Sequence, residues 1–322
     1  MRVATVTFNP AIDQTITVDH LIPGEVHRAR AVRQNAGGKG VNVASCLADW
    51  GIPVTAFGLL GSENAALFEA LCAEKTIADR FLRIPGATRV NLKIVDDQDT
   101  TDINMGGAAV DAPALEKQIE QVEAFAGSDS LIVLSGSLPP GCPPGLYAEL
   151  IARLRGRGAR VLLDTSGLPL LLALQGKTLP NIIKPNLREL ADWAGEPVET
   201  AEDALRIAAR LAAKGVELVV VSMGAQGALF LSHSGALTAR LRAEGVTSTV
   251  GAGDAMVAGL VAALSEAAEL EEIARLSTAF AVGKLGLAGP NLPDRDTIRT
   301  LMGQVTIASA GRAEAGGAGE TT

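Results

Sequence analysis

From Val54 to Val221 short strand-like runs alternate with longer stretches of helical apolar spacing, and this restricts the fold more than any other feature. The runs Val54–Leu59, Leu131–Leu134, Arg160–Leu163, Asn181–Ile183 and Leu218–Val221 are predicted strands. Between them Ala65–Lys75, Pro113–Phe125, Leu146–Arg155, Leu187–Ala194 and Ala201–Lys214 are predicted helices. Parallel strands need a crossover, usually a helix, so this order predicts an α/β fold: a doubly wound, mostly parallel sheet with helices on both faces. Ahead of it, Arg2–Phe8 reads as a buried strand ending at Asn9-Pro10, and the helix Lys39–Trp50 stops at Gly51. Asp13–Asp19 and Val26–Arg33 alternate polar with apolar residues, as half-exposed strands do. Arg89–Val95 and Thr100–Asn104 form a predicted hairpin around Asp96-Asp97-Gln98-Asp99. Such strands do not belong in a parallel sheet covered on both faces, so they predict a small lid sheet from about 11–34 and 88–105. Phe230–Leu241 adds an antiparallel edge. One domain therefore spans 1–306, and the Gly/Ala-rich residues 307–322 are expected to be disordered.

Composition excludes several function classes. A net charge of −8 offers no basic footprint for duplex DNA, and 3% aromatic content offers no stacking surface for single strands. Cations should therefore matter locally, beside a small anionic ligand. Cys46, Cys72 and Cys142 are far apart and lack CxxC spacing, a reduced pattern rather than a disulfide framework or zinc site. His20, His27 and His233 are equally scattered, so no metal cluster is readable. The first residues read as a strand rather than a signal peptide, and the longest apolar run, Leu168–Leu174, is too short to span a bilayer. These features together predict a soluble, cytoplasmic protein that binds neither nucleic acid nor membrane.

The stretch richest in chemistry is Thr249-Val250-Gly251-Ala252-Gly253-Asp254, followed by the helical run Ala255 to Glu266. Its glycines allow a tight turn and close approach of backbone to a ligand, which puts free N–H groups at a helix N-terminus. That is an anion site, and an acid beside it has the two parts that phosphoryl transfer to an alcohol requires. Taken alone, the same residues also suit a helix cap. Two further glycine turns follow predicted strands: Ser135-Gly136-Ser137 and Ser222-Met223-Gly224-Ala225-Gln226-Gly227. No G-x-G-x-x-G follows the first strand and no G-x-x-x-x-G-K-[ST] occurs, so dinucleotide and P-loop chemistry lose ground. In Lys184-Pro185-Asn186-Leu187-Arg188-Glu189, the spacing of Asn186 and Glu189 favours a capping box; the functional alternative is a polar pair ordering water around Mg²⁺.

Together these segments resemble the phosphofructokinase B branch of the ribokinase-like sugar kinases. Asn35-Ala36-Gly37-Gly38-Lys39-Gly40-Val41-Asn42-Val43-Ala44 is similar to its N-terminal signature, and Ser248-Thr249-Val250-Gly251-Ala252-Gly253-Asp254 to its C-terminal one. Lys184 to Glu189 matches its Asn-x-x-Glu element, and the likeness runs from about Arg2 to Met302. The resemblance implies ATP and Mg²⁺. Asp254 would be the base, and Gly251, Ala252 and Gly253 the anion hole. Lys184, Asn186, Ser222, Gly224, Ala225, Gln226, Gly227 and Thr249 would line the nucleotide, with Glu189 and Asn186 on Mg²⁺ through water. Asp13, Gly38, Lys39, Asn42, Arg89, Lys93 and Ser137 would meet the sugar. The helix dipole is expected to hold the Asp254 pKa low.

Lys39, Arg89 and Lys93 near a sugar site favour a phosphorylated sugar. The family's 6-phosphofructokinases resemble Gly-Gly-Gly-Gly where this chain has Gly37-Gly38-Lys39-Gly40, and carry an arginine near Asp102. Both departures imply fructose 1-phosphate as acceptor, with Lys39 on its phosphate. Tagatose 6-phosphate and fructose 6-phosphate remain alternatives, as do a non-catalytic sugar-phosphate sensor and a Rossmann-type oxidoreductase. The resemblance also implies a homodimer formed through the lid.

Overall fold

The structure, a computed structural model, describes residues 1–243, 250–287 and 289–311. The chain begins with β1 (Arg2–Thr7), β2 (Ala11–Thr17), β3 (Ala31–Gly37), α1 (Lys39–Asp49), β4 (Val54–Gly61), α2 (Ala66–Glu74) and β5 (Ala78–Ile84). It continues through β6 (Val90–Val95), β7 (Thr100–Ile103), α3 (Ala112–Phe125), β8 (Ser130–Ser135), α4 (Leu146–Gly156), β9 (Arg160–Asp164) and α5 (Gly167–Gln175). Next come β10 (Ile182–Ile183), α6 (Leu187–Ala194), α7 (Ala201–Ala213), β11 (Leu218–Ser222), β12 (Ala228–Ser232) and β13 (Gly235–Arg240). It closes with α8 (Ala252–Ser265), α9 (Leu270–Lys284), α10 (Arg295–Gln304) and β14 (Thr306–Ser309).

These strands form a ten-stranded sheet in the order β14-β13-β12-β11-β10-β9-β8-β1-β4-β5, and a four-stranded sheet in the order β3-β2-β6-β7. From β11 to β5 every pairing in the large sheet is parallel, whereas β12, β13 and β14 add antiparallel. Strand residues alternate between two cores, as the pleat requires. Val3, Leu131 and Val133 face α1, α8 and α9; Ala4, Val6, Phe8, Ile132 and Leu134 face α3, α4 and α7. The central strands are therefore apolar on both faces, which is why their sequences read as continuous apolar runs.

Chain order sets the position of the functional crevice. From β1 the chain goes to β4 and β5 on one side, then returns to β8, β9, β10 and β11 on the other. The topological switch thus lies between β1 and β8, and ligands of open α/β sheets bind beyond the strand C-termini at such a point.

Four local readings need correction. Strand β3 runs from Ala31 to Gly37 rather than from Val26 to Arg33. Strand β5 was missed because it is the edge of the large sheet and carries Asp79, Arg80 and Arg83, as edge strands commonly do. Helix α5 contains Pro169, tolerated because it falls in the first turn, where its missing N–H has no helical partner. Ile307 to Ser309, expected to be disordered, lie in β14, where their backbone pairs with Leu237 to Ala239 of β13; the rest of the predicted tail, 312–322, lies outside the described residues. All three cysteines are free, and among the described residues no helix is long and apolar enough to cross a membrane.

Candidate active site

At the switch point the ends of β1 and β8 are tied together. Asn9 Nδ2 donates to Ser137 Oγ at 3.0 Å and to the Gly106 carbonyl at 3.2 Å. The turn after β8 is fixed from below: Tyr147 Oη and Thr165 Oγ1 both donate to the Gly136 carbonyl, at 2.9 and 2.8 Å. Across from it α1 starts at Lys39, directly after β3. The only residue between strand and helix is Gly38, at φ 107°, a conformation that a side chain rarely adopts.

Lys39 Nζ lies 3.2 Å from Asp164 Oδ1, at the C-terminal end of β9. Lys184 Nζ reaches the same oxygen at 3.3 Å. Asp164 and Lys184 are buried and Lys39 is partly exposed, so Lys39 is the more accessible of the two cations. Burial opposes the charge of Asp164, but the two ammonium groups outweigh it and hold its pKa below the usual carboxylate range. Burial likewise opposes charge on Lys39, and the carboxylates of Asp164, Asp254 and Glu189 reverse that, leaving its pKa raised. The other oxygen of Asp164, Oδ2, is buried and has no hydrogen-bond partner.

Asp254 stands in the first turn of α8 and is 7% exposed. Gly251, in the left-handed conformation at φ 82°, is the N-cap, so Asp254 does not cap the helix. Its carboxylate instead accepts a hydrogen bond from Asn42 Nδ2 at 2.8 Å. The Asp254 pKa is raised to about 6, first by burial and then by Asp164, against the pull of Lys39, Asn42 and Lys184. The expected lowering by the helix dipole is overturned: desolvation of a carboxylate among packed elements exceeds a terminal partial charge. A β-carbon on Gly253 would lie 3.5 Å from Lys184 Nζ, so the backbone of Gly253 passes beside a buried ammonium.

The other residues expected at the nucleotide lie together around the start of α6 and the end of β11. Asn186 and Glu189 make the reciprocal capping box of α6: Glu189 N donates to Asn186 Oδ1 at 2.8 Å and Asn186 N to Glu189 Oε2 at 2.9 Å. Ser222 bridges to Asn186, and its N–H donates to the Pro185 carbonyl. Gly224, Ala225 and Gln226 form a single 3₁₀ turn, closed by Gly227, that carries the chain from β11 into β12. Thr249 lies outside the described residues.

Of the residues expected at the sugar, Asp13 lies in β2 of the small sheet and accepts from Asn91 Nδ2 at 3.1 Å; burial raises its pKa. Lys93 sits 3.6 Å from Asp102. Arg89 is not a free cation: its guanidinium donates to the carbonyls of Asn9, Pro10 and Met105 and to Asn91 Oδ1. It braces the loops around the crevice, and of the three predicted cations Lys39 alone faces Asp164. Away from the crevice, exposed His20 lies 3.3 Å from Asp97 and 3.6 Å from Asp96, a grouping that sequence spacing did not reveal.

Two residues of the crevice escaped the sequence reading: Asn9 and Asp164. The available signal was position, since Asn9 and Asp164 end predicted parallel strands.

Residues 6–297 match the pfkB family carbohydrate kinases. The chain belongs to that family. This kinase is 49% identical over 290 residues to 1-phosphofructokinase of Xanthomonas campestris pv. campestris, covering 88% of this chain and 91% of that protein. It is 46% identical over 310 residues to 1-phosphofructokinase of Rhodobacter capsulatus, covering 95% and 98%. Among solved structures, phosphofructokinase-2 from Escherichia coli in complex with substrates and products superposes with a TM-score of 0.88 at 29% identity, covering 94% of the kinase and 99% of that chain. Membership makes the protein a phosphotransferase acting on a sugar hydroxyl.

Proposed function

We propose that the kinase transfers the γ-phosphoryl group of ATP to fructose 1-phosphate, giving fructose 1,6-bisphosphate and ADP. The observation that carries this reading is the pairing of Asp254, a buried carboxyl titrating at about 6, with Lys39, a partly exposed ammonium whose charge reaches it. Asp254 accepts the proton of the acceptor hydroxyl as that oxygen bonds to phosphorus and the bond to the ADP oxygen breaks. A base of pKa about 6 is ionised at neutral pH, and it can take the proton late because the transition state is loose. The amides of Gly251, Ala252 and Gly253 receive the charge on the migrating group. Asn42 holds the carboxylate in place, and Lys39 binds the 1-phosphate, consistent with the names of the curated relatives.

Lys184, Asn186, Ser222, Gly224, Ala225, Gln226, Gly227 and Thr249 flank the nucleotide in this reading. The crevice fits Mg²⁺ because the orphaned Asp164 Oδ2 is a hard, anionic oxygen that needs a partner. Asp164, with Glu189 and Asn186 through water, would hold the ion, which supplies charge neutralisation between the phosphates. Val32, Ile103 and Met105, exposed on or beside the small sheet, supply an apolar patch for a second subunit, so a homodimer through this lid belongs to the same proposal.

The test compares ADP release with fructose 1-phosphate, fructose 6-phosphate and tagatose 6-phosphate, for wild type and Asp254→Asn. A preference in kcat/KM for fructose 1-phosphate, abolished in the variant, is the expected result. Preference for a 6-phosphate sinks the role given to Lys39, and absence of turnover with all three sinks the reaction.

A further inference from the structure

Asn9 follows β1 at the point where the strand order switches, and the residue is 7% exposed. Nothing in the proposed reaction uses it, yet its carboxamide is fully committed. Nδ2 donates to the Gly106 carbonyl at 3.2 Å and to Ser137 Oγ at 3.0 Å. A carbonyl oxygen can only accept, so the bond to Gly106 fixes which end of the amide carries the protons. The same nitrogen presents its second N–H to Ser137, and the Ser137 oxygen is therefore the acceptor. The amide is braced in this pose. Arg89 Nη2 donates to the Asn9 carbonyl at 3.2 Å, and a β-carbon on Gly107, at φ 95°, would collide with Asn9 Oδ1.

A serine hydroxyl accepts through its lone pairs and donates one proton. With Asn9 donating to its oxygen, Ser137 keeps that proton, and among the described residues no carbonyl or carboxylate takes it. Ser137 is exposed, in a turn where a β-carbon on Gly136 would lie 3.8 Å from Lys39 Cβ. We propose that Asn9 is a positioning residue that sets Ser137 as a dedicated hydroxyl donor to an acceptor oxygen of the bound sugar phosphate, beside Lys39. The inference rests on the phosphoryl-transfer reading. The direction of the proton is settled before the ligand arrives, so no competing bond has to be broken and less rotational freedom is lost on binding. Through Gly106 the same amide also grips the chain returning from β7 to α3, so the donor is aligned when that return is seated.

The experiment is steady-state kinetics on wild type, Asn9→Ala, Asn9→Asp, Ser137→Ala and the double variant Asn9→Ala/Ser137→Ala. The acceptor is whichever of fructose 1-phosphate, fructose 6-phosphate and tagatose 6-phosphate wild type prefers. Ser137→Ala should raise the sugar KM about 10- to 100-fold, the worth of a hydrogen bond to a charged group, and leave the ATP KM within about twofold. Asn9→Ala should raise the sugar KM about 3- to 10-fold. Added to Ser137→Ala it should change that KM by less than about twofold, because the amide acts through the hydroxyl. Asn9→Asp puts a carboxylate where the N–H was; it takes the Ser137 proton and adds charge beside an anion, so its sugar KM should exceed that of Asn9→Ala. Throughout, kcat should stay within about threefold, as for binding lost equally from ground and transition states. A loosened fold would move both KM values and kcat together. Multiplicative effects in the double variant, equal changes in the two KM values, or an Asn9→Asp milder than Asn9→Ala would overturn the inference. If Asn9→Ala does not fold, the wild-type crystal complex with the sugar phosphate decides. Ser137 Oγ should stand about 2.5–3.0 Å from a ligand oxygen with both Asn9 bonds kept, and a hydroxyl turned elsewhere overturns it. Wild type inactive with all three sugars overturns the reaction and this inference with it, whereas an active wild type with the wrong variant pattern overturns this inference alone.

Discussion

Asp254 should be a stability liability at neutral pH, and removing its charge should strengthen the fold while ending catalysis. Its carboxyl titrates at about 6 in the folded chain against an ordinary value of 3.8. Between those values the folded state holds a proton that the unfolded state has released. Stability therefore falls as pH rises through that window, and the loss is complete above the folded value. At 1.36 kcal/mol per pKa unit, ionised Asp254 costs the folded state about 3 kcal/mol at pH 7. Asn in its place keeps the shape and an oxygen for Asn42 Nδ2 but carries no charge. Asp254→Asn should then raise stability by up to about 3 kcal/mol at pH 7.5, a gain of about 5 °C in Tm for a chain of this size. The gain should shrink steadily below pH 6 and vanish near pH 4. Urea denaturation of both proteins at pH 4.5, 5.5 and 7.5, beside a kinase assay, reads this directly. Equal stabilities at pH 7.5, or a gain as large at pH 4.5, would refute the argument that burial governs this carboxyl.

Four further outcomes follow from the same geometry. The pH profile of kcat/KM should fall tenfold per unit below about pH 6, where Asp254 takes up its proton; a flat profile down to pH 5 would remove it as the base. Lys39→Ala should raise KM for fructose 1-phosphate by about 10- to 100-fold, and an unchanged KM would show that this ammonium does not bind the phosphate. Asp164→Asn should destabilise the fold by about 3 kcal/mol, because it leaves Lys184 buried without its counter-charge; its depressed pKa means that the wild-type contribution is present at neutral pH and lost on acidification, so the variant's deficit should close toward pH 3. Asn186→Ala breaks half of the α6 capping box and should cost about 1 kcal/mol in denaturation, with any larger drop in ATP affinity measuring a separate role at the nucleotide.

Much of this was legible because its signals are local. Helical spacing after Gly253 placed the anion turn on a helix, and the Asn186 to Glu189 spacing predicted the cap that α6 forms. The alternation of apolar runs gave the parallel sheet because strands covered on both faces have no polar side to display. What was not legible depends on partners far apart in the chain. Asp164 is an unremarked acid until Lys39 and Lys184 converge on it. Arg89 reads as a free cation until three backbone carbonyls are seen around it. The Asp254 pKa was misjudged in sign because the helix dipole is a property of sequence neighbours, whereas burial is supplied by elements such as α1 and β9 that the local sequence does not contain. Strand β14 was hidden for a similar reason: its four residues carry only the short β-branched signal of Thr306 and Ile307, and β13 supplies the order by hydrogen bonding.

The joint at Gly38 has a mechanical meaning. Four segments join the small sheet to the main domain, and this one is the shortest, with β3 ending at Gly37 and α1 starting at Lys39. A β-carbon at Gly38 would come within 3.0 Å of Pro10 Cα and 3.1 Å of Thr7 Cγ2, so the joint is packed against the end of β1 and has little slack. Any tilt of the small sheet is then delivered to the first turn of α1, where Lys39 and Asn42 sit. Asn42 passes it on through its bond to Asp254. The small sheet and the carboxylate proposed as the base are thus joined through a run of six residues, Gly37 to Asn42, and one hydrogen bond.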